Sequence, residues 1–156
     1  TYVEQGAADI GIVGKDNILE AEADVYELLD LKLGKCHFAI ASLQDKPITK
    51  GSSIRVASKY PLVTKKYFAK KGVTADVIKL NGSVELAPII GLADYILDIV
   101  ETGNTIRENG LTIIENVEEI STRLIVNKAS FATKTEEVQR IITQLRDALE
   151  KAEKES

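Results

Sequence analysis

The stretch Asp94–Leu111, DYILDIVETGNTIRENGL, decides how the rest of the chain reads. An apolar run from Tyr95 to Val100, interrupted only by Asp98, stops at Glu101. Thr102, Gly103, Asn104 and Thr105 follow, then a segment that reads as a helical turn. Gly103 has no Cβ, so the backbone there can approach a bulky anion or take a positive φ. Thr102 and Thr105 add hydroxyl donors, and residues from Asn104 onward can present N–H groups at a helix start, where partial positive charge favours an anion. Asp98 and Glu101 lie just before the loop. A carboxylate touching a phosphate would repel it, so these acids are expected to face sugar hydroxyls or a bound Mg²⁺. The combination describes a ribose 5-phosphate site. The same residues, taken alone, also fit a capped turn, with Thr105 and Glu108 as a capping box and Gly110 as its end.

Outward from this stretch the pattern alternates. SIRVAS (53–58) reads as a strand and YPLVTKKYFAKKG (60–72) as a helix, with Pro61 near its start and Gly72 past its end. ADVIKL (75–80) is a strand, and SVELAPIIGLA (83–93) a short helix opened by Ser83 and restricted by Pro88. LTIIENV (111–117) is a strand beyond the loop. This order signals an α/β fold with mainly parallel sheets. Upstream, Ala8 to Val13 and HFAIA (37–41) are strands, whereas VYELLDL (25–31) is ambiguous by period. The polar segment 43–53, with Pro47 and Gly51, reads as a crossing between lobes. TRLIVNKAS (122–130) is a strand that carries the chain back, and the tail is an amphipathic helix. Its stripe of Val138, Ile141, Ile142, Leu145 and Leu149 is expected to dock on the first lobe. The expected organisation is a first lobe of 1–42 and 122–156 and a second lobe of 43–121 that carries the loop, with a ligand cleft between them. Ligands in such folds sit outside the carboxyl ends of parallel strands, where the loop lies.

Composition narrows the classes. A hydrophobic share of 44% with 28% charged residues is an ordinary soluble mixture, and no apolar run approaches the ~20 residues of a membrane span. The net charge of −4 argues against broad nucleic-acid binding, which needs a basic face. One cysteine, Cys36, excludes an internal disulfide and suits a reducing cytoplasm. It adjoins the sole histidine, His37, but neighbours on a strand point to opposite faces, so both read as packed residues rather than a catalytic pair. The chain starts without methionine and enters a strand almost at once, so upstream sequence is expected to be missing.

From Glu85 to Thr105, ELAPIIGLADYILDIVETGNT resembles the signature of the ATP phosphoribosyltransferases of histidine biosynthesis. Glu85, Gly91, Ala93, Ile96, Asp98, Thr102, Gly103 and Thr105 carry the match, and Ile106 departs from the usual Leu or Met. The resemblance extends to YVEQGAADIGIVGKD (2–16), LGKC (33–36), RVASKYP (55–61), KLNGS (79–83) and RLIVN (123–127). It implies a fold like the type 2 periplasmic binding proteins. It also implies a Mg²⁺-dependent reaction in which an adenine ring nitrogen of ATP attacks the anomeric carbon of 5-phosphoribosyl diphosphate, releasing pyrophosphate. No side-chain nucleophile is required.

The implied assignments are residue by residue. Thr102, Gly103, Asn104 and Thr105 hold the 5-phosphate, and Asp98 with Glu101 faces ribose or metal. Gly14, Lys15 and Asp16 contact ATP. Glu85 supports the loop, and Lys59 and Arg107 are further candidates for pyrophosphate contacts. A chain ending just after the amphipathic helix resembles the short form, which works with a histidyl-tRNA-synthetase-like regulatory subunit in a hetero-oligomer. The rival reading from another class is a non-catalytic small-molecule-binding domain of the same fold. Ordinary phosphoribosyltransferases usually carry two adjacent acids before a similar loop, where Leu97-Asp98 supplies one.

Overall fold

The computed structural model describes residues 1–156. In chain order the elements are β1 (Ile10–Gly14), α1 (Lys15–Ala21), β2 (Tyr26–Asp30), β3 (Cys36–Ser42), β4 (Ser53–Ser58), α2 (Pro61–Lys71) and β5 (Thr74–Lys79). They continue with α3 (Leu86–Ile89), β6 (Tyr95–Val100), α4 (Asn104–Glu108), β7 (Thr112–Ile120), β8 (Thr122–Val126), α5 (Lys128–Thr133) and α6 (Thr135–Glu155). The chain divides into two compact units, Thr1–Lys35 with Ser121–Ser156, and Cys36–Ile120.

The first unit holds a three-stranded sheet in the order β1-β8-β2, antiparallel throughout. β8 is central, and its Val126 lies opposite both Ile10 and Tyr26. This pairing settles the ambiguous 25–31 segment as a strand, with an irregularity between Glu27 and Leu29. Leu124 and Val126 point into a cluster with Leu31, and α6 covers it with Val138 and Ile142. Leu145 and Leu149 extend that contact, whereas Ile141 sits at the edge of the stripe, partly exposed. Each fully buried Val or Ile contributes roughly 1.5–3 kcal/mol, so the stripe suffices to hold the helix down. The strand read as 122–130 ends earlier. The Asn127 side chain accepts the N–H of Ser130 at 3.0 Å, which caps α5 and terminates β8.

The second unit holds a five-stranded sheet in the order β5-β4-β6-β3-β7. The parallel pairing lies in β4–β5 and β4–β6, while β3 joins β6 and β7 antiparallel. The reading that put 36–42 in the first lobe is therefore shifted: β3 is laddered on both sides within the second unit, which begins at Cys36. Alternation along β3 divides the unit's core between two faces. Ala39 and Ala41 join Ala57, Ile96, Val100, Ile106 and Leu111 on one. Phe38 and Ile40 point to the other, where Phe38 meets the Tyr60 ring edge-on with centroids 5.0 Å apart. Ser83 does not open a helix. It takes a left-handed φ of 52°, and the following α3 is a single turn containing Pro88.

Candidate active site

β6 enters the site from the middle of the second sheet, where Ile96 and Leu97 are fully buried. Its middle is tied to the carboxyl end of its parallel neighbour β4. The Ser58 hydroxyl donates to the Leu97 carbonyl at 2.7 Å and accepts the Tyr60 N–H at 3.0 Å. Beyond β6 the chain turns through Glu101–Gly103 into the short α4. Gly103 occupies the position before the helix with φ of 79°, the left-handed conformation expected of a glycine here. Ile106, one turn on, is buried in the core with Leu111, whose N–H reaches the Ile106 carbonyl at 3.0 Å. That apolar anchor leaves Thr102, Asn104 and Thr105 exposed.

The capping box that Thr105 and Glu108 also fitted does not form, because Thr105 lies inside α4 rather than before it. The loop is braced differently. Arg107 Nη2 donates to the Thr102 carbonyl at 2.6 Å and to Asn104 Oδ1 at 3.4 Å. The Asn109 side-chain amide donates to the Thr105 carbonyl at 2.8 Å. The guanidinium proposed from the sequence for pyrophosphate is thus turned onto its own loop.

Asp98 lies in β6, half-buried, and receives the Ile99 N–H at 2.8 Å. Burial pushes its carboxyl above the ordinary carboxylate range. The Glu85 charge adds to the rise, while the Ile99 hydrogen bond and the Lys59 charge oppose it. Two sequence candidates therefore act on a third: Glu85 from just before α3 and Lys59 just after β4 both act on Asp98 in β6. The coupling of Glu85 to Asp98 escaped the sequence reading, which gave Glu85 only a supporting role for the loop. No amphipathic period links a residue at the start of one element to one inside another. Glu101, just past the end of β6, is exposed. Nowhere do three His, Cys, Asp or Glu side chains converge as a metal cage.

Gly14, Lys15 and Asp16 lie in the other unit. Gly14 closes β1, and a side chain there would collide with the Asp16 carboxylate. Lys15 Nζ contacts Glu27 Oε2 at 2.7 Å, and Arg123 Nη1 holds the other Glu27 oxygen at 2.9 Å. Ser121 completes the group, donating to Asp30 at 2.7 Å and accepting from Arg123 Nε at 3.1 Å. Sequence reasoning singled out Lys15 but missed Glu27 and Arg123, which come together only through the β2–β8 ladder. Cys36 forms no disulfide, and its neighbour His37 lies opposite Val100 and Glu119 in the ladders.

The sequence model described as "HisG: ATP phosphoribosyltransferase" matches residues 1–147. An ATP phosphoribosyltransferase of Oceanobacillus iheyensis is 65% identical over 144 residues, spanning 92% of this chain and 69% of that protein. One from Clostridium novyi is 58% identical over 143 residues, spanning 91% and 68%. Among solved structures, the "ATP phosphoribosyl transferase (HisG:HisZ) complex from Thermotoga maritima" aligns with a TM-score of 0.85 at 38% identity, covering 96% of this chain and 74% of that one. The substrate-binding protein of an amino acid ABC transporter aligns with a TM-score of 0.61 at 15% identity, covering 94% and 69%, a likeness of fold alone. The match over nearly the whole chain and the identity to named enzymes favour the catalytic reading over the receptor reading: the chain belongs to the ATP phosphoribosyltransferase family, the pentosyltransferases that begin histidine biosynthesis.

Proposed function

We propose that the second unit's 102–105 loop holds the 5-phosphate of 5-phosphoribosyl diphosphate while Asp98 and Glu101 face the ribose or its metal. The observation that carries this reading is the pairing of an exposed hydroxyl loop with a half-buried carboxylate whose charged form is disfavoured in the free protein. An active-site acid with that property gains when sugar hydroxyls or a cation supply the missing partners. Lys59 contacts the departing pyrophosphate, and Gly14, Lys15 and Asp16 contact ATP. Glu85 repels Asp98 and thereby strengthens its demand for a cationic or hydrogen-bonding partner.

Mg²⁺ fits this donor set. It binds through one or two carboxylates plus substrate phosphates rather than a protein cage, and Asp98 or Glu101 offers such a carboxylate. When bound, the ion would neutralise charge on the leaving pyrophosphate. The residues of this chain align the two anionic substrates and surround the developing positive charge at the anomeric carbon. No side chain needs to form a covalent bond. The Thermotoga maritima relative is solved as a HisG:HisZ complex, and we assign this chain a comparable regulatory subunit, similar to histidyl-tRNA synthetase. No helix is long and apolar enough to cross a membrane, and we assign the enzyme to the cytoplasm.

The Thr102→Ala, Thr105→Ala double substitution tests the loop. Each lost charge-assisted hydrogen bond should cost about 1.5–3 kcal/mol of 5-phosphoribosyl diphosphate affinity. Both hydroxyls are exposed, so the fold should persist. Calorimetric affinity equal to that of the unaltered protein would remove the assignment.

A further inference from the structure

We infer that Arg107 is the positioning residue of the 102–105 loop, holding it in its binding shape before the sugar phosphate arrives. The inference rests on the reading of that loop as the 5-phosphate site. Arg107 engages three successive loop residues. Its Nη2 donates to the Thr102 carbonyl at 2.6 Å and to Asn104 Oδ1 at 3.4 Å, and its backbone N–H donates to the Gly103 carbonyl at 3.0 Å. The guanidinium also lies against Gly103. A Cβ there would sit 3.3 Å from Nη2 and 3.4 Å from Cζ, with Ile113 Cδ1 at 3.1 Å on another side.

Gly103 therefore has two structural duties: to take φ of 79° and to leave room for the guanidinium. A planar fork of N–H donors suits this place, because it can satisfy a carbonyl and an amide oxygen from one side chain. Its charge, carried behind the loop, also adds to the positive potential that an anion meets there. The side-chain hydrogen bonds of this guanidinium run to the loop, to the Thr102 carbonyl and to Asn104 Oδ1. Arg107 thus acts on the substrate through Thr102 and Asn104.

The test uses Arg107→Met, which keeps length without donors, and Arg107→Lys, which restores one donor group. Binding of 5-phosphoribosyl diphosphate and of ribose 5-phosphate is measured by calorimetry, alongside Tm and the KM of both substrates in the active enzyme. In Arg107→Met both sugar phosphates should weaken about tenfold, the effect of one charge-assisted hydrogen bond. The KM for ATP and the Tm should hold, and Arg107→Lys should fall between. Weakened 5-phosphoribosyl diphosphate with unchanged ribose 5-phosphate would make Arg107 a direct pyrophosphate contact and overturn the inference. So would unchanged affinity for both when the Thr102, Thr105 double substitution still weakens binding. If that double substitution also changes nothing, the loop assignment itself falls and this inference with it.

Discussion

Asp94 lies just before β6 and Asp98 within it, yet the fold treats them in opposite ways. Asp94, just before β6, accepts the Arg55 N–H at 3.0 Å and the Arg55 guanidinium at 3.2 Å. Those hydrogen bonds hold its carboxyl below the ordinary carboxylate range. Asp98 is pushed above that range by burial, with the repulsion of Glu85 added and only partial relief from Ile99 and Lys59. The carboxylate before β6 is closed off by its own ion pair, and the one inside the strand is left needing a partner. A carboxylate in the second condition is a functional-site candidate, because its charged form gains most from a partner that a ligand can supply.

The strongest way to break the comparison is Asp98→Asn. It should weaken 5-phosphoribosyl diphosphate binding by roughly ten- to a hundredfold, as one or two charged hydrogen bonds to the ligand are lost. The Tm of the free protein should stay level or rise, because an amide carries no charge to desolvate. A variant with lowered Tm and intact affinity would show that Asp98 is structural. Asp94→Asn should do the reverse, losing about 1 kcal/mol of stability by denaturant unfolding with ligand affinity unchanged. The effect is modest because both partners of the Arg55 pair are about half exposed.

A smaller effect sharpens the contrast through pH. Stability contributed by Asp94 is present above the ordinary carboxylate value and is lost as pH falls through its lowered one. Asp98 has the opposite sign. Its contribution is fully present below the ordinary value and is lost as pH rises through its raised one. Unfolding free energies measured across the acidic range should therefore change slope in opposite directions for Asp94→Asn and Asp98→Asn. Parallel slopes would place both carboxylates in the same kind of environment.

The same division separates what could be read early from what could not. β6, the loop and the covering stripe of α6 were legible because each is a local pattern, a strand run, a glycine between hydroxyl residues, or a helical period. The assignment of 36–42 to the first lobe failed because a buried strand looks alike in either sheet, and only its ladders with β6 and β7 choose. The capping box failed for a subtler reason. Thr105 and Glu108 have the right spacing, but Gly103 starts the helix sooner and Arg107 takes over the bracing.

By itself the sequence determined the chemical inventory of the loop and the two acids before it, because residue type and close spacing need no distant partner to be read. The tertiary structure alone decided which groups act on one another. It set Glu85 and Lys59 near enough to act on Asp98, joined Glu27 to Lys15 and Arg123, and turned Arg107 onto Thr102. Those relations depend on strand register and on which side chains the packed core leaves exposed, and both are properties of the folded chain rather than of any short stretch of it.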